Sequence, residues 1–416
     1  MKPYEAYKDS GVEWIGEMPS GWYLKRLKFF AKICNGHDHK DVNDEGGKYP
    51  IYGSGGQFGW ANKYIYNKPS VILGRKGTID KPRYIEEPFW SVDTAYYTRI
   101  RERNSPRFFY YLCTTINFEL YKYGSAIPSM TQGTLNNIEF CSPSFCEQEA
   151  IAAYLDRKTG QLDVLIAQKQ RLIALLEEER TALINQAVTK GLDPTVPMKD
   201  SGIEWLGDVP AHWEVKKLKY VVEKIGSGVT PKGGAEVYQE TGIPLLRSQN
   251  IYSDRFKLDN IAYISEDVHK EMRGSQVQSG DVLLNITGGS IGRCFYVTNE
   301  FDEANVNQHV CILRPNKDIL TKFLHLQLVS AVGQIQISLC QLGGNREAVN
   351  FEQLRNFDFA FPDIEEQTII LEKIGISIEY ISNLQAKAQQ HIALLQEYKT
   401  ALISEVVTGK VDVRGE

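Results

Sequence analysis

The chain has 416 residues, is 42% hydrophobic and 24% charged, and carries a formal net charge of −5. That length exceeds one ordinary core and fits two to four domains. No apolar run approaches the ~20 residues of a membrane span, and the opening MKPYEAYKDS holds no secretory stretch, so a cytoplasmic protein is expected. Seven scattered cysteines form no CxxC pair and have no histidine pair at zinc spacing, which reads as free thiols. The charge is uneven: residues 1–146 are net +4 and residues 199–365 net −5. A uniformly basic DNA binder is excluded, whereas a local basic surface on the first half is not.

In chain order, the first informative segment is 8–22, KDSGVEWIGEMPSGW. It returns at 199–213 as KDSGIEWLGDVPAHW, with nine of fifteen positions identical. Short extended pieces follow at 71–73 and 90–100, then a helix near 107–121 and a strand before Pro143. A long helix is expected over 147–189, which has no proline and one glycine, Gly160. The turn-rich stretch 191–197 reads as a linker. The second half repeats the order: strands at 282–286 and 306–313, a helix near 319–339, a strand before Pro362, and a long helix over 366–408 containing Gly375. A second echo matches 173–184 (IALLEEERTALI) to 392–403 (IALLQEYKTALI). Two copies of one unit imply a pseudo-twofold molecule.

These signals divide the chain into a first lobe at 1–146, a long helix at 147–190, a linker at 191–198, a second lobe at 199–365, a second long helix at 366–410 and a tail at 411–416. The expected fold class is α+β: two similar α/β domains separated by two long helices that form an antiparallel coiled coil. Seven-residue stepping supplies the stripe, Leu155, Leu162, Lys169, Leu176 and Leu183 in the first helix, with Leu165 and Leu172 as the alternate line. The second helix matches with Ile374, Ile381, Ala388, Leu395 and Leu402, and with Leu384 and His391 as alternates. Each helix would be about 65 Å long, too long to bury in one lobe, which favours pairing with the other helix over packing on its own lobe. Gly160 and Gly375 are expected to break each helix into a short and a long segment.

Catalytic signatures are scarce. There is no GxxxxGK[ST] phosphate loop, GxSxG elbow, HExxH helix, EF-hand loop or amino-methyltransferase Asn/Asp-Pro-Pro-aromatic motif. The glycine-rich stretches 53–59 and 288–292 read as tight turns, and the His37/His39 loop as a polar loop rather than a metal site. Polar residues at loop tips form the candidate DNA-binding set: Arg75, Lys76, Ser129, Thr131 and Gln132 in the first lobe, and Asn285, Thr287, Ser290, Arg293, Asn345 and Arg346 in the second. Arg and Lys suit guanine edges or phosphates, Asn and Gln adenine edges, Ser and Thr either.

The tandem KDSGxEWxGxxPxxW motif, with the long helix ending TALI…VT, resembles the DNA specificity subunit of type I restriction–modification systems over essentially the whole chain. That resemblance implies two target-recognition domains reading a split, asymmetric double-stranded DNA site, with paired helices setting the unread gap. It implies no catalytic centre in this chain and two methyltransferase subunits as partners, joined by ATP-driven restriction subunits. S-adenosylmethionine, ATP and Mg2+ would then belong to those partners, and no metal to this chain. The loop at 124–128 resembles a family element, from which the second copy departs at 343–350. The competing expectations are a two-lobed interaction scaffold that does not bind DNA and an enzyme centred on the His37/His39 loop.

Overall fold

The computed structural model describes residues 2–124, 127–301, 303–341 and 348–415. It divides into unit 1, Met1–Arg171 with Ala388–Glu416, and unit 2, Leu172–Lys387. Each unit therefore holds one sheet-bearing domain, part of the first long helix (Phe145–Lys190) and part of the second (Ile364–Val407).

In unit 1 an antiparallel sheet runs in the order Ala31–Asn35, Ala95–Ile100, Ser70–Gly74, Arg83–Ile85. A second sheet pairs Gly56–Ala61 with Tyr49–Gly53 and, in parallel, Trp90–Ser91. A ribbon of Tyr23–Arg26 and Glu139–Ser142 closes the domain. Unit 2 repeats this with Val222–Ser227, Val310–Pro315, Val282–Asn285 and Cys294–Tyr296 in the main sheet. Its smaller sheet again contains one parallel pair, Ile243–Leu246 with Asn305–Val306. The extended stretches expected at 90–100 and 306–313 each resolve into two strands belonging to different sheets. Residues 92–94 and 307–309 carry the chain between them. Alternation alone does not reveal such a switch.

One close approach explains an echoed glycine. A Cβ on Gly36 would lie 2.0 Å from the Val92 carbonyl oxygen, and one on Gly228 would lie 1.7 Å from that of Val306. Only glycine lets the first sheet strand pass this crossing. A second shared device docks each long helix. Gln148 is 1% exposed; its Oε1 accepts from Ser105 N at 2.9 Å and its Nε2 donates to Pro143 O at 3.1 Å. Gln367 is fully buried and does the same with Leu320 N at 2.9 Å and Pro362 O at 3.0 Å. Ser105 and Leu320 are the N-caps of the domain helices Pro106–Thr114 and Thr321–Val329. The expected helices at 107–121 and 319–339 are thus real but interrupted, the second by a bend before Ala331–Gln341. No single described helix is long and apolar enough to cross a membrane.

Both long helices run unbroken through Gly160 and Gly375, contrary to the expected breaks. Each unit contains an antiparallel helix pair. In unit 1, Leu155 and Leu162 share a core with Leu402, Ile403 and Val406, and Asp163 meets Lys399. In unit 2, Ile184, Ala187 and Val188 share one with Ile370 and Ile374, and Glu177 meets Gln385. The main stripe is buried at Leu155, Leu162, Leu176, Ile374, Ile381, Ala388 and Leu402, and half-buried at Leu183 and Leu395. The alternate line is shifted from expectation. Leu165 and Leu172 are 44% and 39% exposed, His391 is exposed and Leu384 half-buried. The inward line lies four residues on rather than three: Thr159, Ile166, Ile173, Arg180 and Ala187 in the first helix and Ile378, Gln385, Ile392, Lys399 and Val406 in the second are each buried or half-buried. A leucine every seven residues fits either core letter of a heptad, and the polar members of the true line conceal it.

In unit 2, His325 is buried and donates from Nε2 to the Ser253 and Cys294 carbonyls, both at 3.1 Å. Burial lowers its pKa to about 4 from the usual 6.5. The unfolded chain therefore binds a proton between pH 6.5 and 4 that the folded chain refuses. Stability present above pH 6.5 is lost as pH falls through this window, by roughly 3 kcal/mol for a shift of this size. Urea unfolding between pH 7 and 4 is expected to show this slope, and His325→Gln to flatten it.

Candidate nucleic-acid interface

The polar loop residues of unit 1 converge on one end of the main sheet, where Gly74 and Asn35 end their strands and Ala95 begins its own. Arg75 and Lys76 leave the strand Ser70–Gly74, and both backbone N–H groups donate to Thr94 O, at 2.9 and 3.1 Å. Lys76 bridges to Ser129, and Met130 N donates to Arg75 O. The Arg75 guanidinium is steadied by the Asp93 carbonyl at 3.2 Å, while Lys76 is exposed. Thr131 caps the helix Gln132–Asn137, accepting from Thr134 N at 3.0 Å. Gln132 Nε2 donates to Asn35 Oδ1 at 2.9 Å. Ser129 does not join the presented set: it is 7% exposed and donates to Ile127 O. The loop expected to resemble a family element includes Ser125 and Ala126, which lie outside the described residues.

Aromatic rings escaped the sequence reading here. Tyr123 is 53% exposed and its backbone pairs with Ser129. Phe58 is 55% exposed on the hairpin whose turn is Ser54-Gly55, and the His39 ring meets its face edge-on at 5.2 Å. Tyr123 thereby stands near Lys76, whose backbone bridges to the same Ser129. The glycine-rich stretch 53–59 is a hairpin turn, as expected. Among the described residues, no group of three or more His, Cys, Asp or Glu is placed to hold a metal ion.

In unit 2, Asn285 is a structural residue rather than a presented one. It is 1% exposed, and its Nδ2 donates to Ser248 O at 2.8 Å and to Ser290 Oγ at 3.2 Å. The loop tip that follows strand Val282–Asn285 is a 3-10 turn, Gly288–Ser290. Thr287 Oγ1 lies 2.6 Å from His309 Nδ1, and Gln308 Nε2 lies 3.0 Å from the other ring nitrogen. Arg293 is exposed and lies over the Tyr252 ring at 5.0 Å, which Arg255 also approaches at 5.6 Å. Tyr252, Arg255, Gln308 and His309 were not singled out from sequence, because their grouping needs three separate loops. Asn345 and Arg346 lie outside the described residues.

Residues 19–175 and 210–392 match the family described as "Type I restriction modification DNA specificity domain". The chain belongs to that family, and its two matched segments make it a two-domain specificity subunit of a type I restriction–modification system. Among curated relatives, it is 24% identical to the type I restriction enzyme MjaVIII specificity subunit of Methanocaldococcus jannaschii, over 95% of this chain and 94% of that one. It is 24% identical to the EcoBI specificity subunit of Escherichia coli, over 82% of this chain and 73% of that one. A solved chain from work on complex assembly and conformational transition of the type I R-M system matches its fold with a TM-score of 0.72 and 15% identity, covering 95% of this chain and 99% of its own.

The geometry separates two kinds of substitution. Asn285→Ala removes the donor to a buried carbonyl and is expected to cost about 1–3 kcal/mol, visible as a lowered melting temperature. Lys76→Ala removes an exposed charge and is expected to leave melting within about 0.5 kcal/mol of the parent.

Proposed function

We propose that the two domains read the two halves of an asymmetric, bipartite site on double-stranded DNA. The observation that carries this reading is the duplication itself: one DNA-specificity family matches both segments, and one scaffold bears two different loop sets. The first domain offers Arg75, Lys76, Thr131, Gln132 and Tyr123; the second offers Thr287, Ser290, Arg293 and the Thr287–His309–Gln308 group. Dissimilar tips on a common frame suit dissimilar half-sequences. The net −5 charge of residues 199–365 makes weak DNA affinity the expectation for the chain alone, with partner subunits completing the clamp.

The partners in this reading are two adenine methyltransferase subunits, and through them the restriction subunits. S-adenosylmethionine, ATP and Mg2+ serve those partners. The support for docking is the row of apolar side chains that the shifted heptad leaves outside. Unit 1 exposes Val164, Leu165, Leu394 and Tyr398, beside a groove of about 400 Å3 lined also by Lys169 and His391. Unit 2 exposes Leu172, Leu175, Ile376 and Tyr380. Helices of a partner subunit have the periodicity to cover such a row. The long helices are in this reading the spacer that sets the unread gap.

The decisive experiment maps methylated adenines in a host carrying this chain with its cognate methyltransferase. A split, non-palindromic motif is expected; no motif would favour a scaffold that does not bind DNA. Lys76→Ala with Arg75→Ala is expected to weaken binding by about 1–3 kcal/mol and to reduce the salt dependence, with the other half-site's preference unchanged. Removing one heptad from both long helices is expected to change the tolerated gap in the same methylation map.

A further inference from the structure

The two units differ at one place where the difference opens a cavity. In unit 1, the helix Pro106–Thr114 presents Arg107 to the first long helix. Arg107 Nε donates to Asp156 Oδ1 at 2.6 Å, and Tyr111 Oη donates to the same oxygen at 2.5 Å. The guanidinium lies over the Tyr84 ring at 4.5 Å. Seven residues on, Asp163 accepts from Lys399 Nζ at 2.6 and 2.8 Å. Two carboxylates of one helix are thus each held by a cation from elsewhere in the unit.

Unit 2 keeps the cations and lacks the carboxylates. The shared glutamine anchors fix the equivalence. Because Ser105 and Leu320 bond alike to Gln148 and Gln367, Lys322 stands for Arg107. By the separation of the two glutamines themselves, 148 to 367, Gly375 and Ser382 stand for Asp156 and Asp163, and Arg180 stands for Lys399. Lys322 lies over the Tyr296 ring at 5.8 Å and makes no ion pair among the described residues. Arg180 meets Glu177 on its own helix at 3.8 Å, and that carboxylate is itself 56% exposed. The buried Nε of Arg180 has no hydrogen-bond acceptor.

Where unit 1 holds these ion pairs, unit 2 has a cavity of about 520 Å3, lined by Lys322, Arg180, Gly375 and Ser382. Phe295, Leu326 and Ile378 form its apolar wall, and a Cβ on Gly375 would meet nothing within 4 Å. Asp254 also lines it, but is paired with Arg255 at 2.7 Å. A mid-helix glycine costs about 1 kcal/mol relative to alanine, and no close neighbour requires one here. The volume falls within the range of small-molecule sites, and an apolar wall with a few convergent polar groups is their usual make-up. We propose that this cavity binds a small organic anion, a carboxylate, sulfonate or phosphate on an aromatic or aliphatic body. The ligand supplies from outside the negative charge that Asp156 and Asp163 supply within unit 1.

The test titrates the full-length chain with anilinonaphthalene sulfonate, followed by fluorescence and calorimetry. One saturable site per chain is expected. Lys322→Met, and separately Gly375→Asp combined with Ser382→Asp, should each weaken it about tenfold or more, as loss of a charge-assisted contact does. The double aspartate variant rebuilds the internal anions of unit 1, so it should melt no lower than the parent, which separates lost binding from lost folding. The neutral analogue phenylnaphthylamine should bind at least about tenfold more weakly than the sulfonate. Equal affinity in the parent and the double aspartate variant, equal affinity for the neutral analogue, or absence of any saturable site would overturn the proposal.

Discussion

The arrangement of each unit depends on one buried amide. Gln148 and Gln367 each sit five residues after a proline and span from its carbonyl to the N-terminus of the domain helix. A buried primary amide has an acceptor and two donors to satisfy, and here the demand is met by backbone groups of two different elements. The consequence is directional. A hydrophobic patch alone would let the long helix slide or rotate on its domain, whereas bonds of 2.9–3.1 Å hold only at one azimuth. That azimuth decides which face of the helix meets its antiparallel partner and which face is left to solvent.

From this fixed start the heptad follows. The inward line carries Thr159, Gln385, Arg180 and Lys399, while leucines such as Leu165 and Leu172 face out. A seam of this kind is weaker than one made wholly of leucine, because the charged members must find partners, as Lys399 does in Asp163. Its gain is register. An ion pair between given residues tolerates no slip of one turn, and polar core positions are the best-attested device for fixing pairing. The apolar outer row then stays available for a second layer of helices, a use that a leucine-rich seam with a polar exterior would not allow.

The duplication, the two long helices and the main Leu/Ile stripe were legible in the sequence, because exact spacing over forty residues leaves little else for those residues to do. The choice between the two alternate lines was not, since Leu165 in and Ile166 in are equally good heptads until the helix azimuth is known. Gly160 and Gly375 were read as breaks because propensity counts against glycine, yet tertiary contacts carry both helices through. Among the candidate loop residues, Arg75, Lys76 and Gln132 were chosen by residue type and turn context, and the fold brings their loops together. Ser129 and Asn285 were included on the same grounds and are buried, since exposure of a loop residue is set by what folds over it. Tyr123, Phe58 and Tyr252 were missed because an aromatic in a strand-rich sequence reads as core unless its neighbours in space are known.

The divergence between units has a physical order. The anchoring glutamines, the crossing glycines Gly36 and Gly228 and the buried tryptophans Trp22 and Trp213 recur, because each meets a constraint of the scaffold that no other residue satisfies. Buried electrostatics are freer. Unit 1 joins its main-sheet strands through the Ser70–Thr98 hydroxyl pair, with Val71 N donating to Thr98 Oγ1 at 2.8 Å. Unit 2 places Asp281 at the corresponding strand, fully buried and held by Arg314 at 2.7 and 2.9 Å. A neutral hydroxyl network and a bidentate ion pair are interchangeable there because both satisfy every polar atom. Replacing Asp156 by Gly375 is a different kind of change, since it removes one partner and keeps the other. The exchange leaves the buried Nε of Arg180 without an acceptor beside the cavity, which distinguishes this place from the balanced swap of a hydroxyl network for an ion pair.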